Sequence, residues 1–190
     1  MIISKSELNK KLVEAYPYLR PRNAWTGKVY DDYDFSYTYV DDLPTGWDRL
    51  FLLYCKHIKK YLKEANYLDK FYFTQVKEKF GTMCLYNGGY PKSMHRITTL
   101  FECYSTYVCQ RCGNFSKFTT LGWIEHFCED CILTSCQQYE KITKKKHCTV
   151  HTYEDGYEVS ISYTYKHLDR EYKKVLGMTS EEFYNYILEE

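Results

Sequence analysis

Four cysteines carry the strongest chemical signal in this sequence. Cys109-Gln-Arg-Cys112-Gly is followed by Cys128-Glu-Asp-Cys131, with fifteen residues between Cys112 and Cys128. Two C-x2-C pairs at that separation predict a tetrahedral four-thiolate site with metal–sulfur distances of about 2.3 Å. Zinc is the expected ion, although sulfur-only tetrahedral ligation also suits iron. With all four positions filled by protein the site is closed, so its expected role is structural. His126 and Cys136 lie near enough in sequence to replace a ligand, but four well-spaced cysteines already satisfy the metal.

Other catalytic patterns are missing. The sequence has no phosphate-binding GxxxxGK[ST], no dinucleotide GxGxxG, no HExxH and no GxSxG. Treble-clef nucleases hold a catalytic metal with His and Asn from a strand between the two cysteine pairs. Here the interval holds no His-rich strand: its one histidine is His126, next to the second pair. The chain therefore reads as a non-enzyme.

Two basic stretches are candidate contacts for a partner or a nucleic acid. Lys77, Lys79 and Phe80 sit at the turn of an expected hairpin, where Phe80 either projects as a contact or folds back on the sheet. Lys141 and the run Lys144, Lys145 and Lys146 are the densest basic segment, read as a phosphate contact or a solvated helix end. The acids Asp31, Asp32, Asp34, Asp41 and Asp42 lack EF-hand spacing and read as solvated turns. His147 and His151 share a strand face but have no third ligand.

The elements that must position these residues follow from periodicity. Ser4 to Glu7 is a capping box opening a short helix, with Leu8, Leu12 and Ala15 on one face and Pro17 as the stop. Phe35, Tyr37 and Tyr39 alternate with Ser36 and Thr38, which predicts a strand. A long amphipathic helix spans about 45–66, with Thr45 and Asp48 as the N-cap pattern, a one-sided apolar stripe and an opposite Lys56, Lys59, Lys60, Lys63 face. His57 reads as exposed there. Residues 71–86 predict a hairpin turning at Gly81. A second helix, striped by Met94, Ile97, Phe101, Tyr104 and Val108, runs into Cys109 and docks the first knuckle on the core.

A short hairpin around Gly122 and a helix-compatible stretch over 132–139 complete the module, as a treble-clef-like arrangement or a zinc ribbon. Asp155-Gly156 predicts a two-residue turn that sets Val150 opposite Ile161 and Cys148 opposite Tyr163. A short helix ending at Gly177 follows, then one capped by Thr179 and Glu182. The fold class is α+β: a helix-and-hairpin core over 1–103, an embedded zinc module over 104–140, and a C-terminal hairpin with helices over 141–190 packed on the rest.

Composition bounds the function weakly. A net charge of +1 specifies neither an acidic nor a basic partner, and the 22 tyrosines suit an aromatic core whose hydroxyls stay hydrogen-bonded. The opening Met-Ile-Ile-Ser-Lys is unlike a signal peptide, and no apolar run approaches the ~18 residues of a membrane span. Nine cysteines therefore read as metal ligands and free thiols in a cytosolic protein.

Gly46-Trp47-x-x-Leu50, Gln75-Val-Lys-Glu-Lys-Phe-Gly81 leading into Leu85-Tyr86, and the two cysteine pairs together resemble an uncharacterised family of small zinc-binding proteins encoded by phages and prophages. The resemblance covers about residues 45–135 and is most specific at the QVKEKFG run. It implies a viral accessory protein in the host cell cytoplasm, without implying an activity. Family members tend to carry a basic residue near Cys84 and often stop soon after the second pair; this chain departs on both points. The expected function is to bind and modulate or inhibit a host protein, such as a defence component, with zinc as a structural cofactor. The alternative is a zinc-dependent nucleic-acid-binding protein, which would use the lysine runs and tyrosine stacking.

Overall fold

The computed structural model describes residues 4–23, 25–88, 91, 94–134, 138–142, 147–154 and 157–189. Within the 147–164 hairpin the description is of the backbone, apart from Thr149, Ser160, Ser162 and Thr164. The first helix, α1 (Lys5–Ala15), starts on the expected capping box, with both Ser4 and Glu7 closing it. Pro17 then opens a single 3-10 turn, Pro17–Leu19.

The expected strand at Phe35–Tyr39 is not formed. Phe35 sits in the left-handed region at φ 63°, Asp34 accepts the Ser36 N–H, and Thr38 caps a 3-10 helix, Tyr39–Asp42. Local side-chain capping outcompetes strand pairing here even though a strand (Tyr72–Lys79) lies alongside, reached by the Tyr39 hydroxyl, which donates to the Phe73 carbonyl at 2.8 Å.

At the centre lies α2 (Asp48–Glu64). Over its first half burial is not one-sided: Leu50, Phe51, Leu52, Leu53, Tyr54 and Cys55 are all fully buried. This stretch is surrounded by α3 (His95–Ser105), the two C-terminal helices and the preceding 3-10 segments, whereas the later turns keep the expected one-sided stripe, with Ile58 and Leu62 buried and Lys60 and Lys63 exposed. The expected N-cap is also replaced. Thr45–Trp47 form a 3-10 turn and Trp47 occupies the cap position, while the Thr45 hydroxyl bonds the Arg111 carbonyl at 3.3 Å. On the lysine face, Lys56 donates to the carbonyls of Tyr186 (2.6 Å) and Glu189 (3.0 Å), so the C-terminal helix covers part of it. His57 is likewise half-buried and bonded to Glu171 at 2.7 Å, correcting the exposed reading.

The central hairpin pairs β1 (Tyr72–Lys79) with β2 (Thr82–Gly88), with a register break between Phe73 and Gln75. Its turn residues Phe80 and Gly81 both have positive φ, 51° and 74°. The outer edge of β2 is covered by α3 (His95–Ser105) through side chains: the Ser105 hydroxyl accepts from Met83 N–H (2.9 Å) and Glu102 accepts from Leu85 N–H (2.8 Å). Burial pushes the Glu102 carboxyl up to about 7, against the opposing pull of that hydrogen bond.

Three short strands, β3 (Phe118–Thr120), β4 (His126–Phe127) and β5 (Tyr139–Lys141), form a sheet in the order β4-β3-β5. Only a four-residue helix, α4 (Glu129–Ile132), follows β4. The expected helix over 132–139 and helix end at Lys141 are thus corrected: Tyr139 begins a strand, its ring packed on Phe118 at 5.3 Å, and Lys141 pairs with Phe118.

The C-terminal hairpin, β6 (His147–Glu154) and β7 (Tyr157–Thr164), has the expected register, with Val150 opposite Ile161 and Cys148 opposite Tyr163. Its Asp155-Gly156 turn lies outside the described residues. Helices α5 (Lys166–Leu176) and α6 (Ser180–Leu188) then return to the core, the latter on the Thr179–Glu182 capping box.

One apolar cluster runs from Leu12 to Ile187 and holds most of the buried tyrosines. Tyr18, Tyr39, Tyr54, Tyr104 and Tyr172 each place the hydroxyl on a carbonyl, hydroxyl or carboxylate at 2.7–2.9 Å. That removes the cost of burying them. No helix among the described residues is long and apolar enough to cross a membrane.

Candidate metal centre

The two cysteine pairs meet where α3 leads into the small sheet. Cys109 to Gly113 make a tight turn, with Gly113 N–H on the Cys109 carbonyl (3.0 Å) and Cys109 N–H on the Asn114 carbonyl (2.7 Å). Cys128 precedes α4 and Cys131 lies within it. The arms are joined through Gln110. Its N–H donates to the His126 carbonyl at 3.0 Å, and its side-chain oxygen accepts from His126 N–H at 2.6 Å.

The four sulfur atoms all lie within 4.8 Å of one another, and those of Cys112 and Cys128 are 3.5 Å apart. A regular tetrahedron with 2.3 Å bonds has edges of about 3.8 Å, so this donor set fits a metal ion. Cys109 and Cys128 are buried, Cys131 is half-buried and Cys112 is exposed. Burial raises the thiols of Cys112, to about 11, and of Cys131. At Cys109 burial acts the same way, but the N–H groups of Cys128, Cys112 and Arg111 more than offset it and the net shift is downward. Inward-pointing N–H groups of this kind stabilise thiolates.

The first pair is anchored to the core by residues far away in sequence. Gly46 N–H bonds the Gln110 carbonyl (3.0 Å), Trp47 Nε1 bonds the Val108 carbonyl (3.0 Å), and the Tyr172 hydroxyl bonds the Gly113 carbonyl (2.8 Å). The Gly46 contact is so close that a Cβ there would stand 2.1 Å from the Cys109 carbonyl oxygen. Only glycine fits. Gly46 and Trp47 are the first residues of the GWxxL pattern, but their role as knuckle supports depends on contacts over 60 positions away, and sequence gives no sign of it.

His126 is not a fifth donor. Its ring is buried over Gly81, where Nε2 would meet a Cβ at 2.7 Å. Desolvation pushes its pKa down to about 4, and Nδ1 has no hydrogen-bond partner. Cys136 lies outside the described residues, as do Lys144, Lys145 and Lys146.

The other face of the module is open. Leu121, Trp123 and Ile124 in the β3–β4 loop are 47%, 72% and 38% exposed. Gly81, at the tip of the β1–β2 hairpin, packs against Ile124, which brings this loop to the turn carrying Phe80. Phe80 is 71% exposed with Lys79 over its ring at 5.5 Å, and Lys77 lies over Tyr86 at 5.1 Å. Phe80 does not fold back onto the sheet. Sequence reading missed Trp123, although Leu121-Gly-Trp-Ile124, an apolar run around a glycine, was the available signal.

Fold and site together define an α+β protein with a four-cysteine cluster at metal-binding distances. No family model matches the chain, and no curated protein or solved structure matches it either.

Proposed function

We propose that this is a phage-encoded, non-enzymatic accessory protein that binds and modulates a host protein in the bacterial cytoplasm. Its four cysteines hold a structural zinc. The order of knuckle, short hairpin, then two ligands at the start of a helix favours a treble-clef-like module. The resemblance at the QVKEKFG run supports the phage origin, and the closed ligand set supports a structural role for the metal.

Phe80 carries the binding reading. A two-residue hairpin turn with positive φ at both positions favours Asn, Asp or Gly, and an aromatic there costs about 1 kcal/mol. That cost brings no burial in return, because the ring is 71% exposed. A strained residue that contributes nothing to the core is a candidate for contact with a partner. With Trp123, Leu121 and Ile124 beside the same turn, the surface has the aromatic anchors on which protein interfaces depend.

The test is capture from host lysate with immobilised wild-type protein and the Phe80→Asn and Trp123→Ser variants. A stoichiometric protein retained by the wild type and lost by both folded variants is expected. Equal recovery by all three, or none by any, contradicts the reading.

A second reading rests on Lys77 and Lys79 flanking the exposed Phe80, a combination suited to stacking and phosphate contact with a single strand. Binding to labelled single-stranded DNA or RNA that weakens steeply with salt would favour it.

A further inference from the structure

Away from the metal module, the loop over residues 20–42 forms one wall of an open cavity of about 450 Å³ against β1. Four tyrosines line it: Tyr30, Tyr33, Tyr37 and Tyr39. Three carboxylates, Asp32, Asp34 and Asp42, line it as well. On the strand side lie Thr74 and Gln75, at the point where the β1–β2 register breaks.

The single cation in the lining, Arg22, is already engaged. Its guanidinium lies over the Tyr72 ring at 5.2 Å and its Nη1 donates to the Gly27 carbonyl at 3.1 Å. A second guanidinium, Arg20, stands at the wall and is also engaged, donating to the Tyr30 carbonyl at 2.9 Å. Three carboxylates against two committed guanidiniums leave the cavity on balance electronegative, which favours positive charge.

We infer that this tyrosine-walled cavity is a binding site for an organic cation: a guanidinium or alkylammonium group on a short carbon chain, as borne by an arginine or lysine side chain of a peptide or by a free polyamine. A cavity of this size fits one such group with its alkyl stem. Tyrosine faces attract cations through the ring quadrupole, most strongly when solvent is partly excluded. The same loop already uses this chemistry internally, with Arg20 over Tyr33 at 5.1 Å. Asp42 is exposed and held at the cavity by the Tyr37 hydroxyl, which donates to it, so its carboxylate stands within reach of a bound cation.

This site is separate from the Phe80 face, so the two readings stand or fall independently. The test uses the full-length ¹⁵N-labelled protein titrated to millimolar concentrations with three blocked tripeptides, Gly-Arg-Gly, Gly-Lys-Gly and Gly-Glu-Gly, and with spermidine. Chemical-shift changes confined to residues 30–42 and 74–75 are expected for the cations and absent for the glutamate peptide. Tyr30→Ala and Asp32→Asn, both at exposed positions, should each weaken binding roughly fivefold while the rest of the spectrum is unchanged. Tighter binding of a cationic peptide than of spermidine assigns the site to a protein partner, and the reverse order assigns it to a free polyamine. No cation-induced shifts, equal shifts with the glutamate peptide, or affinities unaltered in both variants would overturn the inference.

Discussion

The two sides of the cysteine module are built on opposite terms. On the inner side Gly46, Trp47 and Tyr172 fix the first knuckle by backbone-directed hydrogen bonds at 2.8–3.0 Å, with the rings of Trp47 and Tyr172 fully buried. On the outer side Phe80 and Trp123 are more than two-thirds exposed, at a turn and a loop. Residues on the inner side are explained by folding. Those on the outer side are not, and Phe80 even opposes it through its positive φ. Substitutions should therefore separate by sign: inner-side changes destabilise the protein, whereas a change at Phe80 stabilises it and removes binding.

The largest effect is expected from the metal ligands. Cys109→Ser should abolish metal binding and cost at least about 4 kcal/mol, since the binding free energy of a structural metal is folding free energy. Metal analysis and chemical denaturation check this together. Next comes Gly46→Ala, whose Cβ would stand 2.1 Å from the Cys109 carbonyl oxygen and 2.8 Å from Gly113 N. Backbone must move on one side, so a loss of about 3 kcal/mol is expected with weakened metal retention, read by denaturation and a chelator-competition rate.

Glu102, beneath the central hairpin, supplies a pH-dependent effect. Its folded pKa is raised from 4.5 to about 7. A raised pKa means that its contribution to stability is fully present below about pH 4.5 and is lost as pH rises through about 7. Glu102→Gln keeps an acceptor for the Leu85 N–H and removes the buried charge. It should flatten the stability profile between those limits and add about 2 kcal/mol above pH 7, measured by denaturation across pH. The smallest effect has the opposite origin. Phe80→Asn should stabilise by about 0.5–1 kcal/mol, because Asn tolerates the positive φ, while partner capture is lost.

What could be read from the sequence is local. The capping boxes at Ser4 and Thr179 involve residues three apart, the cysteine pairs are defined by spacing, and the strands of the 147–164 hairpin pair in the register their sequence predicts. What could not be read depends on distant partners. The aromatic alternation at 35–39 promises a strand, but Phe35 takes a positive φ and Thr38 caps a 3-10 turn, so the segment meets β1 through the Tyr39 hydroxyl and not through a ladder. His57 looks like one more member of a solvated face until Glu171 arrives from α5, 114 residues later. The strain at Phe80 is hidden for a different reason: one glycine suffices to predict a turn at Gly81, and the second positive φ is visible only in the backbone.

The most direct test of this account is the metal content of the untagged protein by native mass spectrometry, paired with thermal unfolding before and after chelation. The account predicts one zinc per chain, and loss of both the metal and the cooperative transition on chelation or in Cys109→Ser. A zinc-free protein that unfolds at the same temperature as the untreated sample would contradict it.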